Sequence, residues 1–256
     1  MILKLYNIYS SFNSLPNSWD NLVVHDIFLR SQYLKALENG SPNNIQLFYV
    51  GIFDDEELVG VAIIQRVQLY LKDMFRKNEV SCFKEFIQDT VSKVLKGNVL
   101  FVGNITHTGQ HGLFFKEDKI TQNEFLKLVF DAVETIKKDI KEKTNKTIRV
   151  IMLKDYFQND SIHLENAFFN AHKLHKVTVQ PNMVMNINSD WLKQEDYINS
   201  LNKKYKKRFK TARTKLNGIL CSELDLEAIK ANSNRLHKLY LNVSNNAKFN
   251  TFILPI

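Results

Sequence analysis

Between residues 99 and 153 the chain passes from a short apolar run, Val99–Val102, through a long two-faced stretch, Thr121–Ile140, to a second apolar run, Ile148–Leu153. In the middle stretch Phe125, Leu128, Val129, Ala132, Val133, Ile136 and Ile140 recur at helical spacing. Thr121 with Glu124 forms a capping box at its start. Strand, helix, strand in this order predicts a crossover that joins parallel neighbours in one sheet. Upstream, Ile45–Phe53 and Leu58–Tyr70 are apolar, β-branched runs separated by Asp54-Asp55-Glu56-Glu57, which predicts an antiparallel hairpin with an acidic turn. Parallel and antiparallel pairs together give an α/β fold with a mixed β-sheet flanked by helices.

The remaining elements fit around that frame. Leu3–Ile8 reads as a strand. Phe28–Glu38 carries a helical stripe of Leu29, Tyr33, Leu34 and Leu37 closed by Asn39-Gly40, a C-terminal cap signal. Phe83–Leu95 has helical spacing, Ser161–Ala171 reads as a helix, and the apolar stretch Val177–Ile187, interrupted by Pro181, is expected to supply the last strand. The body is expected to span residues 1–188. Residues 189–256 form a C-terminal helical extension: a helix over Trp191–Leu216, ended by Asn217-Gly218, a strand over Ile219–Leu224 and a helix over Leu226–Val243. Ile198, Leu201, Tyr205, Phe209, Ala212 and Leu216 share one face of the first of these helices.

Charge has a location. The net charge is +8, and between Lys203 and Lys215 there are eight Lys or Arg and no acid. Setting those eight aside leaves 27 basic residues, equal to the 27 acidic ones, so the whole excess lies in one segment. At 44% hydrophobic and 24% charged residues, the chain can fold around an ordinary core. The residues Met1–Ser10 lack the apolar core of a signal peptide, and no apolar run approaches the roughly 20 residues that span a bilayer. The cytoplasm is the expected location, and Cys82 and Cys221 are expected as buried free thiols.

The order of elements resembles the GNAT acyltransferase fold. A more specific likeness lies in Lys154-Asp155-Tyr156-Phe157, the helix to Ala171, Gln180-Pro181, Trp191, Glu195-Asp196-Tyr197-Ile198 and Leu201-Asn202-Lys203-Lys204-Tyr205-Lys206-Lys207-Arg208. This succession resembles the junction in Fem-like proteins, including peptidoglycan-bridge aminoacyltransferases, where a first GNAT-type lobe ends in a basic helix. The resemblance implies transfer of an acyl or aminoacyl group onto an amine, with acyl-CoA or aminoacyl-tRNA as donor and no covalently bound cofactor. It also implies a second lobe after the basic helix. Since only about forty residues follow Lys215, the chain is expected to be part of a larger enzyme. The apolar end Thr251–Ile256 fits that expectation, and Leu236, Leu239, Tyr240 and Val243 on the helix Leu226–Val243 are then expected to pack back on the body or to drive a homodimer.

GNAT enzymes hold the donor's pyrophosphate on main-chain N–H groups of a glycine-bearing loop at a helix N-terminus. At the matching place this chain has Thr106-His107-Thr108-Gly109-Gln110-His111-Gly112. No Gln or Arg opens the loop, and eight residues separate Gly112 from Thr121. Thr106, Thr108, Gly109 and Gly112 are the expected donor contacts; the alternative is a connection that needs glycine for positive φ. Asp155 and Tyr156 follow a predicted strand, where GNAT-type sites place acid–base groups. The alternative there is a packed tyrosine and a helix-capping aspartate. The histidines, among them His107 and His111, have no companion ligands at metal spacing, so no metal is expected.

Lys203, Lys204, Lys206, Lys207, Arg208, Lys210 and Arg213 are the expected contacts of a polyanion, whether RNA, an anionic membrane surface or a lipid-linked precursor. A merely solvated helix is the alternative. A non-catalytic module that binds such a partner is the rival to the enzyme. Walker loops, Gly-x-Ser-x-Gly elbows, Cys-x-x-Cys pairs and dinucleotide fingerprints are missing from the sequence, which leaves kinase, hydrolase and dehydrogenase readings without support.

Overall fold

Strand formation begins with the hairpin. In a computed structural model, which describes residues 5–70, 96–178, 183–247 and 253–256, β2 (Ile45–Asp54) and β3 (Glu57–Tyr70) pair antiparallel. The turn between them is the expected acidic one, and Asp55 takes a left-handed φ of 52° there. Strand β1 (Leu5–Tyr9) adds to β2, and β4 (Lys96–Val102) adds to the far edge of β3, both antiparallel.

The crossover follows as predicted. The chain leaves β4, makes a short strand β5 (Leu113–Phe115) against β3, and enters helix α3 (Gln122–Thr144) before β6 (Val150–Leu153) lies parallel to β4. The sheet order is therefore β1-β2-β3-β4-β6, with β5 beside β3. Two short helices, α1 (Trp19–Leu22) and α2 (Ser31–Gly40), precede the hairpin.

Alternation along the strands feeds two apolar cores. Val50, Ile52, Ala62, Ile64, Leu100 and Val102 pack with Phe125, Val129, Val133 and Ile136 of α3. Tyr49, Val61, Ile63, Val67, Val99 and Phe101 pack with Trp19, Leu22, Leu29 and Leu34. Each of these side chains contributes about 1.5–3 kcal/mol on leaving water. The Thr121 capping box is present: the Glu124 N–H donates to Thr121 Oγ1 at 3.3 Å and the Thr121 N–H donates to Glu124 Oε2 at 3.1 Å. Asn145, at a left-handed φ of 52°, ends α3.

The chain forms two compact units, residues 1–174 with 234–256, and residues 175–233. Beyond β6 the first unit holds a 3-10 turn (Ser161–Leu164) and α4 (Asn166–Ala171). Helix α5 (Gln194–Ser200), α6 (Lys203–Lys215) and α7 (Leu226–Ala231) belong to the second unit, and nearly all of α8 (Ser233–Asn246) returns to the first.

Several expectations need correction. The helix over Trp191–Leu216 is broken at Leu201–Asn202, because Asn202 Oδ1 accepts the Tyr205 N–H at 3.2 Å and caps a new helix. The last helix is broken at Asn232, whose Nδ2 donates to the Ala228 carbonyl at 2.8 Å and caps the end of α7. No strand forms among the described residues of Val177–Ile187 or over Ile219–Leu224, where no neighbouring edge takes up the backbone. Cys221 is exposed rather than buried. The helix over Phe83–Leu95, Cys82 and Gln180-Pro181 lie outside the described residues. Helix α8 and the terminus do meet, since Tyr240 Oη accepts the Leu254 N–H at 3.0 Å, while Leu239 and Val243 stay exposed.

Candidate functional site

Because β4 and β6 are parallel, the segments that follow them leave from the same end of the sheet, where α/β folds place ligands. The first is the Gly103–Gly112 loop; the second begins at Lys154. Both ends of the loop are fastened to one residue of β3: Gly103 N–H donates to the Ile63 carbonyl and Ile63 N–H donates to the Gly112 carbonyl, each at 2.8 Å. The approach is so close that a Cβ on Gly112 would lie 2.3 Å from Gly103 Cα. Glycine at 112 is thus a requirement of closure, while Gly109 has the positive φ, 102°, expected of such a loop.

Buried polar side chains fix the loop's shape. Gln65, fully buried on β3, donates to Asn104 Oδ1 at 3.2 Å and accepts the Ile105 N–H at 2.7 Å. Asn104 Oδ1 also takes the Thr106 N–H (3.0 Å) and hydroxyl (2.6 Å). With that oxygen so committed, the Asn104 amide nitrogen points at His107 Nε2, 3.0 Å away. His107 must then accept on Nε2 and carry its proton on Nδ1, facing the Thr108 carbonyl at 3.4 Å. Burial, with the nearby His111 and Lys154 adding to it, pulls the His107 pKa down, in keeping with a neutral ring. His111 Nδ1 lies 2.8 Å from Asp26 Oδ2, and the Phe28 ring sits between the two imidazoles, 4.6 Å from each. Among the described residues no cluster of three His, Cys, Asp or Glu could hold a metal.

Lys154 knits the loop to β6. Its ammonium donates to the carbonyls of Asn104 (3.0 Å) and His107 (3.1 Å) and contacts Asp155 Oδ2 closely. The same Asp155 oxygen accepts the Gly109 N–H at 3.2 Å, and Asp155 holds a left-handed φ of 64° to reach it. Three of the four expected donor contacts are therefore turned inward. Gly109 N–H rests on Asp155, Thr106 is bound to Asn104, Gly112 serves closure, and Thr108 faces solvent.

A cavity of about 270 Å³ opens between these segments and the first turns of α3. Gly109, Gln110, Gln122, Phe125, Tyr156 and Asp160 are among its lining. Tyr156 packs its ring against the α3 core, while its hydroxyl is shut off from solvent and has no hydrogen-bond partner, alone in this among the buried side-chain groups described. Burial, and after it the Asp160 carboxylate, pushes the phenol far above its ordinary pKa. Asp160 is held by the Phe157 N–H at 2.6 Å and by Gln110. Glu117 adds a second carboxylate to the lining.

The expected catalytic pair is thus divided in use. Tyr156 lines the cavity and its buried hydroxyl has no partner, while Asp155 is engaged in holding the loop. Sequence reasoning missed Gln65, Asn104, Lys154 and Asp160. Gln65 left a weak signal, as the first polar residue after the apolar run Leu58–Ile64. The expected polyanion contacts Lys203, Lys204, Lys206, Lys207, Arg208, Lys210 and Arg213 all lie on α6, which buries no residue.

No family model and no curated protein matches the chain. Among solved structures it is similar to an aminoglycoside acetyltransferase from an uncultured soil metagenomic sample in complex with sisomicin, at 12% identity, covering 72% of this chain and 97% of that one, with a TM-score of 0.40. A ribosomal-protein-alanine N-acetyltransferase from Brucella melitensis biovar Abortus 2308 matches at 10% identity over 72% of this chain and all of that one, with a TM-score of 0.35. Another soil metagenomic aminoglycoside acetyltransferase matches at 11% identity over 72% and 99% of the two chains, with a TM-score of 0.38.

Proposed function

We propose that the cavity at the ends of β4 and β6 is the site of an N-acyltransferase of GNAT type, Fem-like in its junction to a basic helix, moving an acyl or aminoacyl group onto an amine. One observation carries this reading: the Tyr156 hydroxyl, buried and unpartnered, on a residue that lines the cavity. An orphaned buried hydroxyl costs about 1–3 kcal/mol, a cost removed when a ligand supplies its partner. Support also comes from the run of antiparallel strands into the parallel β4–β6 pair across α3, as the resemblance implies.

In the reaction the amine lone pair attacks the acyl carbonyl and a C–N bond forms. The tetrahedral intermediate then expels the donor's leaving group, a thiolate from a thioester or an alkoxide from an aminoacyl ester. Tyr156 gives its phenolic proton to that group. The surplus proton on the nitrogen passes to the phenolate and restores the phenol. A phenol held protonated by burial suits this donor role and could not act as a base at neutral pH. Asp160 and Glu117 in the lining favour an acceptor that arrives as a cationic amine, which loses one proton to water before its lone pair attacks.

Asp155 serves to hold the loop in this scheme. The phosphates of an acyl-CoA would reach Gly109 N–H and Lys154 by displacing the Asp155 carboxylate, so donor binding and loop rearrangement would be coupled. The test is amine-dependent release of free thiol from acetyl-CoA, and amine-dependent deacylation of aminoacyl-tRNA, by the full chain. Turnover of either donor that needs the amine supports the reading; a folded chain that turns over neither defeats it.

A further inference from the structure

We infer that the second unit docks on an anionic lipid bilayer, through one face of α6 and the aliphatic residues that follow it. The inference is independent of the catalytic reading. Helix α6 buries nothing, and among the described residues none of its eight cations lies within ion-pair distance of a carboxylate. From Tyr197 to Ser222 the sequence has no acid at all. Lys204, Lys207, Arg208, Thr211 and Lys215 line one shallow groove along the helix. Their spacing sets cations along one face at Lys204, Lys207 with Arg208, and Lys215, separated by about 5 Å and then about 10 Å along the axis. Such a row meets a sheet of phosphates, and no protein group has been provided to neutralise it.

The aliphatic residues decide which polyanion. Immediately after the helix, Leu216, Ile219 and Leu220 are exposed, Leu220 to 96%. Leu226 and Ile229 on α7 are exposed as well. A bilayer offers acyl chains just beneath its phosphates, and a basic segment with adjoining leucines uses both layers. A nucleic acid offers aliphatic side chains nothing comparable. It is read by stacking on aromatic rings, and here Arg208 already covers the Tyr205 ring (5.5 Å) and Arg213 the Phe209 ring (5.6 Å). No helix among the described residues is long and apolar enough to cross a membrane, so the contact lies at the interface.

The experiment is co-sedimentation of the full chain with vesicles of phosphatidylcholine alone and of phosphatidylcholine mixed with phosphatidylglycerol, across a salt series, with a structured RNA as competitor. Two variants accompany it: Lys204→Gln/Lys207→Gln/Arg208→Gln/Lys215→Gln, and Leu216→Ser/Ile219→Ser/Leu220→Ser, each checked for unchanged helicity. Binding is expected only to the mixed vesicles, weakening as salt rises. Each variant should lower the partition coefficient by at least about tenfold, the first also flattening the salt dependence. Three results would overturn the inference. They are a wild type that ignores anionic vesicles at low salt, an aliphatic variant that binds them as the wild type does, and RNA that is bound while vesicles are not. Loss of self-association in the aliphatic variant, with vesicle binding intact, would assign those leucines to a second copy and overturn it equally.

Discussion

Two groups of cations in this molecule have opposite fates. In the first unit Lys154 is shared among two loop carbonyls and Asp155, and Lys116 and Lys119 both reach Glu57. On α6 none of the eight cations is buried, and among the described residues none has a carboxylate within ion-pair distance. A lysine whose donors are spent inside holds its own chain in shape. A row of unspent ones is built to meet something else. The same contrast appears around the cavity, where the Asp160 carboxylate in its lining and Asp155 and Thr106 in the adjoining loop contacts are engaged and the Tyr156 hydroxyl is not.

The largest expected effect would come at the loop's closure. Gly112→Ala drives a Cβ into Gly103 backbone and should cost at least about 3 kcal/mol in urea unfolding. Gly40→Ala in α2 meets nothing within 4 Å and should be neutral or stabilising by up to about 1 kcal/mol. Equal effects at the two positions would remove the claim that closure is tight.

The next break is between the cations themselves. Lys154→Met strips two carbonyls and Asp155 of their donor and should cost about 2 kcal/mol. Lys207→Met on α6 should change stability by less than about 0.5 kcal/mol. If Lys154→Met were as mild as Lys207→Met, internal and external cations would not differ as described.

A pH titration sharpens the picture of the loop. His107 has a lowered pKa when folded, so below the ordinary histidine value of about 6.5 the unfolded chain takes up a proton that the folded chain resists. Its contribution should therefore be present above about pH 7 and decline as pH falls toward 5. His107→Gln should flatten that limb of the stability curve; an unchanged slope would contradict the neutral, Asn104-bound imidazole. Smallest of all, Lys206, Lys207, Arg208 and Lys210 replaced together by Gln should leave helicity and stability within about 0.5 kcal/mol, since Gln has a similar helix propensity. A large loss of stability would mean that the cations are already in use.

Much of the sheet was legible because its signals are local. The acidic turn between β2 and β3, the capping box at Thr121 and the stripe from Phe125 to Ile140 each lie within a few residues of what they specify. Strand β5 was invisible, since three residues carry no period, and its pairing comes from the loop's return to Ile63. The breaks at Asn202 and Asn232 were missed because apolar periodicity continues through them while a single side chain redirects the backbone. At the site, Tyr156 and the glycines were singled out from their place after strands, and they lie at the cavity. Gln65, Asn104 and Lys154 were not, because their roles depend on partners about forty to fifty residues away.

The central claim is that the Tyr156 hydroxyl is left free for a ligand in an acyl-transfer cavity, and Tyr156→Phe tests it most directly. Deleting an unpartnered hydroxyl should leave stability unchanged or raised by up to about 1 kcal/mol. Removing the proton donor should lower kcat for amine-dependent thiol or tRNA release by about 10²–10⁴-fold with KM little altered. A variant that turns over as fast as the wild type, or one that unfolds because the hydroxyl was holding the structure, would contradict the account.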